Sequence, residues 1–421
     1  MTQSNIHHNH AGGIHRLVWD EQQIVVSLDR LREDSHYQLS GEITVRQDAY
    51  HGPLHQARLN LTSTVSRRQI AKFLTSRADE FDWDAIVEQA CLLVLRAYRE
   101  GEPAVEVSNI PLTDGLAYRI RPLITEKQTT LLYGEGGLGK SYIANYLSTL
   151  VEQGYPAEGF EVEPGPVLYL DYESDGPTVA RRFRKLHLGL GLAEPSKVRY
   201  RYSFRPLASE LEELQRICID HEIALVVVDS AGPACGGEPE QADAAIMFFN
   251  ALRALKVSCL VIAHRAKHDQ KSTPFGSVYW WNLPRHIWEI SKEQEPGEDG
   301  LAVILKHRKV NDGKLLLPFA LRFSFTETAV SVKRTDMRSD PILRDHLPVR
   351  DRLKALLGRG SMAIDAAAEE LEVPGQTIRQ LVRRHPEVFG YQGKGQIGLM
   401  ALPLPQGKEA QTESEDPDEI P

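Results

Sequence analysis

The residues whose types and spacing could carry out chemistry begin with the octapeptide GEGGLGKS at residues 134–141. A β-branched and apolar run, residues 130–133, precedes it, and an amphipathic run, residues 142–147, follows it. A strand, a glycine-rich loop and a helix in this order form the context of a P-loop, where backbone N–H groups point at phosphate oxygens. The motif predicts a nucleoside-triphosphate site, with a chance glycine-rich turn as the alternative.

Two side chains of this loop have predicted roles. The lysine side chain reaches the β- and γ-phosphates and is expected to face solvent in their absence, and the serine hydroxyl holds Mg²⁺. ATP and Mg²⁺ are therefore the predicted ligands. The predicted nucleotide-binding residues are Gly134, Glu135, Gly136, Gly137, Leu138, Gly139, Lys140, Ser141 and Tyr142.

An acidic side chain after the next apolar run, residues 167–170, is the candidate base for hydrolysis. Glu173 is the predicted residue, because a carboxylate at the end of a buried strand can orient a water towards the γ-phosphate. Asp171 is the alternative, since residues two apart share a face of a regular strand. The non-functional alternative is that this acidic residue only faces solvent at the end of a strand.

Two further strand ends complete the predicted site. Asp229 ends the apolar run 225–228 and is predicted to hold Mg²⁺ together with Ser141, as a Walker-B carboxylate. His264 ends the run 259–263 and is placed to sense the γ-phosphate, with a structural histidine as the alternative.

The elements that must position these side chains are strands buried on both faces, because their apolar runs are continuous and do not alternate. Residues 179–186 and 210–219 lie between these runs and have helical periodicity. This βαβ alternation predicts an α/β fold with a doubly wound parallel sheet sandwiched by helices.

Composition limits the class of protein. The chain has 421 residues, of which 42% are hydrophobic and 25% charged, and four scattered cysteines. These values, with no apolar run long enough for a bilayer and no secretory signal, predict a cytoplasmic protein with reduced thiols and no membrane contact. The net charge of −9 argues against a histone-like coating of nucleic acid, so any DNA contact must be local.

The chain before the P-loop is predicted to form two segments. Residues 1–15 are polar and histidine-containing, and a disordered tail is expected there. Residues 16–105 contain short alternating runs followed by two helical patterns, which predict an N-terminal α+β domain for interaction or assembly, with DNA contact as the alternative. The ATPase domain is predicted over residues 106–335.

The chain after the ATPase domain changes to short helical units and a glycine-containing hairpin. Residues 341–403 are therefore predicted to form a winged-helix-like domain. This segment carries nine basic and seven acidic residues, and this small excess of positive charge leaves both duplex DNA and a protein as candidate partners. Residues 404–421 are predicted to be an acidic disordered tail. The predicted DNA-binding residues of the recognition helix are Arg379, Arg383 and Arg384.

Six motifs in order, GEGGLGKS, LYLDYES, ALVVVDSAG, LVIAHRAK, PFGSVYWWNLPRHIWEI and LKHRKVNDG, resemble those of RecA-like ATPases of the RepA and DnaB replicative-helicase group. The resemblance covers about residues 110–333 and implies a RecA-like core. It assigns Glu173 as the catalytic glutamate, Asp229 as the Walker-B residue and His264 as the sensor. It also implies a homo-oligomeric ring, a hexamer in this family, in which one subunit completes the ATP site of the next.

The same resemblance implies that single-stranded DNA contacts two loops in the pore of the ring. The corresponding segments here are residues 232–243, which are acidic, and residues 265–277. The predicted DNA contacts of the second segment are Arg265, Lys267, His268 and Lys271.

A late strand carries Lys306 and Arg308, which are two apart and share a face in a regular strand. They resemble the K-x-R pair that DnaB-type helicases extend into a neighbouring ATP site, which makes them predicted catalytic residues. Exposed cations protecting an edge strand are the alternative.

These observations predict an ATP-hydrolysing DNA helicase or helicase-like replication protein of a plasmid, phage or integrated element, acting on single-stranded DNA. An ATP-switched DNA-binding regulator or recombination accessory protein without unwinding activity is the alternative.

Overall fold

A computed structural model describes residues 6–11, 13–101, 104–111, 115–265, 273–275, 277–294, 297, 300–393 and 395–400. The chain divides into two compact units, the first holding residues 1–316 with 321–334 and the second holding residues 317–320 with 335–421. Across the described ranges, no helix combines the length and the apolar character that crossing a bilayer requires.

The first unit opens with an antiparallel sheet whose strands pair in chain order. Its third strand buries Ile24, Val26 and Leu28, because alternate residues of a strand face the same side. That side packs on two helices and encloses Trp19 and Trp83. The elements are β1 (Ile6–Ala11), β2 (Ile14–Trp19), β3 (Ile24–Glu33), β4 (Leu39–Gln47), β5 (His55–Asn60), α1 (Thr64–Thr75) and α2 (Trp83–Glu100).

The prediction of a disordered tail over residues 1–15 is wrong for the part that the structure describes, where residues 6–11 and 14–15 lie in this sheet. Strand β1 pairs with β2 from Ile6, opposite Trp19, to Ala11, opposite Ile14. The imidazole rings of His10 and His15 stack with their centroids 4.0 Å apart. Backbone pairing and ring stacking therefore order a polar segment whose composition alone indicated disorder.

The larger part of the first unit is an α/β layer structure. Its elements are β6 (Tyr118–Arg121), β7 (Ile124–Thr125), β8 (Thr129–Gly134), α3 (Lys140–Gln153), β9 (Glu161–Val162), β10 (Val167–Asp171), α4 (Gly176–Gly189), β11 (Arg199–Tyr202), α5 (Leu211–Asp220), β12 (Leu225–Asp229), α6 (Ala231–Ala234), α7 (Ala242–Ala254), β13 (Ser258–His264), α8 (Tyr279–Asn282), β14 (His286–Glu293), β15 (Gly300–Val310), β16 (Phe319–Phe325) and β17 (Val330–Thr335).

Among the described residues, the main sheet has the order β11-β10-β12-β13-β8-β14-β15-β16-β17. The pairs from β11 to β14 are parallel, and β15 is antiparallel to β14. Every residue of β10 and β12 is buried, as expected for strands covered on both faces. The predicted α/β class with a parallel-dominated sheet is therefore confirmed.

Parallel order brings four strand ends to one edge of the sheet. Strands β10, β12, β13 and β8 lie side by side in this order, and the carboxyl ends of these four strands carry Glu173, Asp229, His264 and the P-loop. Ligand sites of open α/β sheets lie at this edge.

The second unit is a small helical domain with a hairpin. Its core includes Leu353, Ile378, Phe389 and Ile397. Its helices and hairpin follow one another in the predicted order, and a winged-helix assignment stays a prediction. The residues of the predicted acidic tail lie outside the described residues. The elements are α9 (Pro341–Arg344), α10 (Val349–Leu357), β18 (Met362–Ala363), α11 (Ile364–Glu370), α12 (Gly375–Arg384), β19 (Phe389–Tyr391) and β20 (Gln396–Leu399).

Candidate active site

The glycine-rich loop joins the end of β8 to the start of α3, and its shape depends on residues without a Cβ. A Cβ at Gly134 would lie 2.6 Å from the carbonyl oxygen of Ile290, which real Cβ atoms do not approach. Gly139, with φ of 78°, precedes the helix in the left-handed region. Above Gly136 and Gly137 a Cβ would meet nothing within 4 Å, so the loop faces open space where phosphates fit.

Lys140 is buried, with 6% of its surface exposed, which corrects the expectation that it faces solvent. Its Nζ donates hydrogen bonds to the carbonyl oxygens of Gly134, at 3.0 Å, and Glu135. Burial lowers the pKa of Lys140 to about 8, against the opposing effect of nearby carboxylates that include Asp229 and Glu173. The loop thus curls around its own ammonium group and holds it at the base of the site.

Ser141 and Asp229 bring two oxygen donors together, as a magnesium site requires. Their side chains are hydrogen-bonded, and the Tyr169 hydroxyl donates to Asp229 Oδ2 at 2.6 Å. Burial raises the pKa of Asp229, and both hydrogen bonds act against that rise. Mg²⁺ commonly takes one or two carboxylates, water and phosphate oxygens, so this donor set fits the ion.

Asp171 and Glu173, the two candidate bases, have different surroundings. Asp171 is buried, and its Oδ1 accepts hydrogen bonds from the backbone N–H groups of Glu173, at 3.1 Å, and Ser174, at 2.8 Å. Its Oδ2 accepts a hydrogen bond from the Tyr200 hydroxyl at 3.0 Å. Strand β10 ends at Asp171, so the turn, and not strand alternation, sets the direction of Glu173. Asp171 holds the turn that presents Glu173.

The Glu173 side chain is 44% exposed and faces the edge of the sheet. Its Oε1 accepts a hydrogen bond from the Ser230 hydroxyl and lies 3.4 Å from His264 Nε2. The contact with His264, followed by that with Ser230, holds the pKa of Glu173 below its usual value. Glu173 is therefore an ionised carboxylate with access to solvent, which a base requires.

His264 ends β13 directly beside the P-loop strand, opposite Gly134. The next residue continues this contact, because the Arg265 N–H donates to the Gly134 carbonyl at 3.1 Å. The Arg265 guanidinium lies 3.5 Å from a carboxylate oxygen of Glu135. This predicted DNA contact therefore interacts with the P-loop of its own chain.

The predicted finger residues lie on β15, opposite β14. Arg308 Nε donates to Glu289 Oε2 at 2.7 Å, and Lys306 pairs in register with the same Glu289. The register shifts between Ile287 and Trp288, beside Arg308, and Lys306 and Arg308 are both more exposed than the buried His307 between them. Arg308 therefore has an acidic partner in its own chain, and a role of Lys306 and Arg308 in a neighbouring site stays a prediction.

Sequence reasoning missed four side chains at this edge. Tyr169 and Ser230 support Asp229 and Glu173, and Tyr200 supports Asp171. The Lys292 ammonium donates to the Gly137 carbonyl at 3.3 Å and adds a cation beside the P-loop. The sequence could have identified only Ser230 as a site residue, because it directly follows Asp229. The other three lie on strands whose pairing the sequence did not specify.

The remaining predicted residues are distributed elsewhere. Tyr142 packs its ring 5.2 Å from that of Phe325 and beneath Arg182. Arg379 lies on α12 in the second unit, 3.5 Å from Asp365. The neighbouring Arg383 and Arg384 are exposed on α12. Three predicted DNA contacts lie outside the described residues, namely Lys267, His268 and Lys271.

Comparison with known families agrees with this geometry. Residues 110–270 match the family model described as an AAA domain. This part of the chain is a P-loop ATPase domain. The match covers less than half of the chain, and both flanking segments lie outside it.

One similar solved structure is a KaiC-like protein from the hyperthermophilic archaeon Pyrococcus horikoshii OT3, with 16% sequence identity and a TM-score of 0.37. The similarity covers 50% of this chain and 93% of that protein. No curated protein matches the chain.

Proposed function

We propose that the chain is a RepA-type DNA helicase, or helicase-like replication protein, that hydrolyses ATP with Mg²⁺ and acts on single-stranded DNA as a cytoplasmic homo-oligomeric ring. The observation that carries the hydrolytic part is the placement of Glu173. Its ionised carboxylate is oriented by Ser230 and His264, next to the edge that holds Lys140 and Asp229. The helicase part rests on the motif resemblance.

The reaction divides among these side chains. Lys140 supplies positive charge to the phosphates, and Glu173 accepts hydrogen bonds from the attacking water and orients it. Ser141 and Asp229 would hold Mg²⁺, which would supply charge neutralisation on the phosphate oxygens. His264 contacts Glu173 and ends the strand beside the P-loop, so it can report the state of the γ-phosphate to the segment that follows.

That following segment supports the proposed coupling to DNA. Arg265 begins the predicted DNA loop, which also contains Lys267, His268 and Lys271, and it pairs with Glu135 of the P-loop. A DNA phosphate that attracts Arg265 would leave Glu135 without this partner, so DNA binding and the P-loop would affect each other. Lys306 and Arg308 are proposed to act on the ATP of a neighbouring copy after Arg308 gives up its contact with Glu289.

The decisive experiment measures ATPase rate with and without single-stranded DNA, on protein whose oligomeric mass is measured in the same buffer, together with unwinding of a forked duplex. Stimulation by single strands and ATP-dependent unwinding are expected. Glu173→Gln should abolish both, whereas Asp175→Asn, a change at an exposed acid that caps α4, should leave them intact. DNA-independent hydrolysis without unwinding would contradict the helicase proposal.

A second candidate is an ATP-switched DNA-binding regulator, favoured by the exposed Arg383 and Arg384 on α12. A regulator of this kind should bind one duplex sequence preferentially and hydrolyse ATP slowly. Charge reversal at these two arginines would then remove duplex binding while leaving ATP hydrolysis unchanged.

A further inference from the structure

Three large aromatic side chains are exposed in a row along β11 and the residues that follow it. Tyr200 is 37% exposed, Tyr202 is 58% exposed and Phe204, two residues beyond the end of β11, is 77% exposed. Among the strands that the structure describes, β11 pairs with β10 alone, so it lies at an edge of the main sheet. A row of large aromatic side chains in water indicates a surface that binds another molecule.

The three rings of this aromatic row lie on one side of the chain because they occupy alternate positions. Ser203, between Tyr202 and Phe204, is buried, and its N–H donates to the Asp171 carbonyl at 2.9 Å, so the pairing with β10 continues past the end of β11. Alternate residues of a strand are about 6.6 Å apart, a spacing that successive bases of an extended single strand can match. The aromatic row is therefore suited to stacking on unpaired bases.

The part of the chain that carries the aromatic row is strongly basic. Residues 176–205, from the start of α4 to just beyond β11, contain eight basic residues and one acidic residue, a formal charge of +7. The whole chain has a net charge of −9. A local concentration of positive charge on an acidic protein indicates a polyanionic ligand. The basic residues are Arg181, Arg182, Arg184, Lys185, Lys197, Arg199, Arg201 and Arg205.

Part of this charge is already paired within the chain. Arg201 Nη2 and Arg205 Nη2 donate to Glu210 Oε1 at 3.0 Å and 3.1 Å. The Arg182 guanidinium lies 5.5 Å from the centroid of the Tyr142 ring. These three cations contribute to the positive potential of the surface, and phosphate contacts are expected from other cations.

Three exposed cations lie beside the aromatic row. Lys197 and Arg199 closely precede Tyr200 in the chain, and Arg184 of α4 lines the same groove as Tyr200. Glu194, which is also exposed, lines this groove as well, so one acidic residue stands against three basic ones. Cations next to exposed rings are the combination that binds single-stranded nucleic acid, because the cations contact phosphates while the rings stack on bases.

We propose that the aromatic row and these three cations form a binding site for single-stranded DNA. Duplex DNA keeps its bases paired and stacked on one another, so the exposed rings favour a single strand. The site is separate from the DNA contacts predicted from the sequence, which lie in residues 265–271 and on α12. The choice of DNA over RNA rests on the proposed function, whereas the site itself does not depend on unwinding or on ATP hydrolysis.

Tyr200 connects this site to the candidate base. Its hydroxyl donates to Asp171 Oδ2 at 3.0 Å, and Asp171 Oδ1 accepts hydrogen bonds from the backbone N–H groups of Glu173 and Ser174. A base stacked on Tyr200 would restrain this hydrogen bond and, through Asp171, the turn that presents Glu173. Single-stranded DNA at this site is therefore expected to raise the ATPase rate.

Photochemical cross-linking locates the contact. The full chain is irradiated without ATP in the presence of a short oligothymidylate that contains iododeoxyuridine, and the cross-linked residues are identified by mass spectrometry. Cross-links to Tyr202 and Phe204 are expected. Cross-links confined to residues 265–277 or to α12 would overturn this site and leave the proposed function standing, whereas a complete lack of binding would overturn both.

Removal of two rings tests the stacking. Tyr202→Ala combined with Phe204→Ala should weaken oligothymidylate binding by about a hundredfold, given about tenfold for each stacked base. Tyr200 is left unaltered because its hydroxyl supports Asp171. Fluorescence anisotropy without ATP measures the affinity.

Two comparisons control this measurement. Tyr202→Trp combined with Phe204→Trp should bind as tightly as the unaltered chain, because the indole ring also stacks on bases. Tyr37→Ala, a change at a ring of comparable exposure in the N-terminal sheet, should have no effect. ATP affinity should be the same in all variants, which separates loss of DNA binding from failure of the ATPase assignment. Unchanged DNA affinity in the double alanine variant would refute the site.

The salt dependence of binding tests the phosphate contacts. Arg184→Gln combined with Arg199→Gln should reduce the slope of log affinity against log salt concentration by about 1.4, since each phosphate contact of a single strand contributes about 0.7. Arg68→Gln combined with Lys72→Gln, at two exposed cations of α1, is the matched control. A slope that falls equally in both double variants, or in neither, would remove these cations from the site.

Two altered ligands separate base stacking from attraction to a polyanion. An abasic strand of the same length keeps the phosphates without the bases, so it should bind the unaltered chain as weakly as oligothymidylate binds the double alanine variant. Duplex DNA of the same length should bind the unaltered chain and the double alanine variant equally. If the abasic strand binds as tightly as oligothymidylate, or if duplex binding falls with the two rings, the surface does not read unpaired bases and the proposal is wrong.

Discussion

Two regions of the sheet lie beside the P-loop, namely the carboxyl edge of β8, β10, β12 and β13 and the β14–β15 hairpin. The sequence predicted the site residues of the first region better than those of the second. At the first, the predicted Glu173, Asp229 and His264 come together around Lys140 and Ser141. At the second, the predicted Arg308 is already paired with Glu289. Parallel strand order alone brings the residues at the strand ends to one edge of the sheet. Whether a side chain is free to contact a ligand depends on its neighbours in the folded chain.

The first prediction concerns ATP binding at the carboxyl edge of the sheet. Lys140→Ala should weaken ATP binding by about a hundredfold or more, because the loop loses its buried cation and charge-assisted bonds are the strong ones. Thermal stability should be unchanged or higher, since a desolvated ammonium is removed. Titration calorimetry with ATP and a melting curve measure both quantities.

Lys314→Ala, a change at an exposed lysine, is the control for this prediction. Unchanged ATP affinity in folded Lys140→Ala protein would show that the loop does not bind phosphate.

The next prediction separates the two carboxylates at the end of β10. Glu173→Gln should bind ATP normally and hydrolyse it about 10⁴-fold more slowly, because the amide keeps the contacts but cannot act as a base. Asp171→Asn should lower the melting temperature, since one oxygen of Asp171 accepts two backbone hydrogen bonds that an amide satisfies less well. Single-turnover rates and melting curves compare the variants, and the reverse pattern would assign the base to Asp171.

The third effect concerns the hairpin. Arg308→Ala should bind ATP almost normally and turn over about 10³-fold more slowly, at the lower end of effects seen for arginine fingers. Mixing it with Lys140→Ala protein should restore some activity at interfaces that join an intact loop to an intact finger. Steady-state ATPase assays over a range of mixing ratios measure this recovery.

Glu289→Gln sharpens the same prediction, because it frees Arg308 without removing it. If the pair with Glu289 restrains the finger, this variant should hydrolyse ATP as fast as the unaltered chain or faster. A slow Glu289→Gln enzyme, or a lack of recovery on mixing, would make Arg308 a structural residue of its own chain.

The smallest effect is a pH dependence. The pKa of Lys140 is about 8 in the folded chain, below its ordinary value of 10.5, so the ammonium is fully present only below pH 8. ATP requires that charge, and its affinity should fall by up to about tenfold per pH unit above this point. Over the same range the unfolded chain binds more protons, so the folding stability contributed by Lys140 should rise as pH rises from 8 towards 10.5.

Calorimetric titrations at several pH values measure this dependence, and Lys140→Ala is the reference because it lacks the titrating group. An identical slope in both proteins would assign the pH dependence to another group.

The sequence by itself determined the P-loop, the acidic and histidine residues at the strand ends and the parallel α/β class, because local motifs and continuous apolar runs encode them. Glycine spacing was sufficient to place Lys140 and Ser141, and a parallel sheet brings its strand ends to one edge. These are short-range or topological properties, so they can be predicted without knowledge of side-chain contacts.

The tertiary structure alone decided which of these groups are buried, paired or exposed. It buried Lys140 among carbonyl oxygens, gave Asp171 a supporting role through Tyr200, and paired Arg308 with Glu289 across a register shift. It also ordered β1, whose polar composition had indicated a disordered tail. Each outcome depends on residues distant in sequence, and hydrogen bonding and desolvation are set by those partners, which local patterns do not specify.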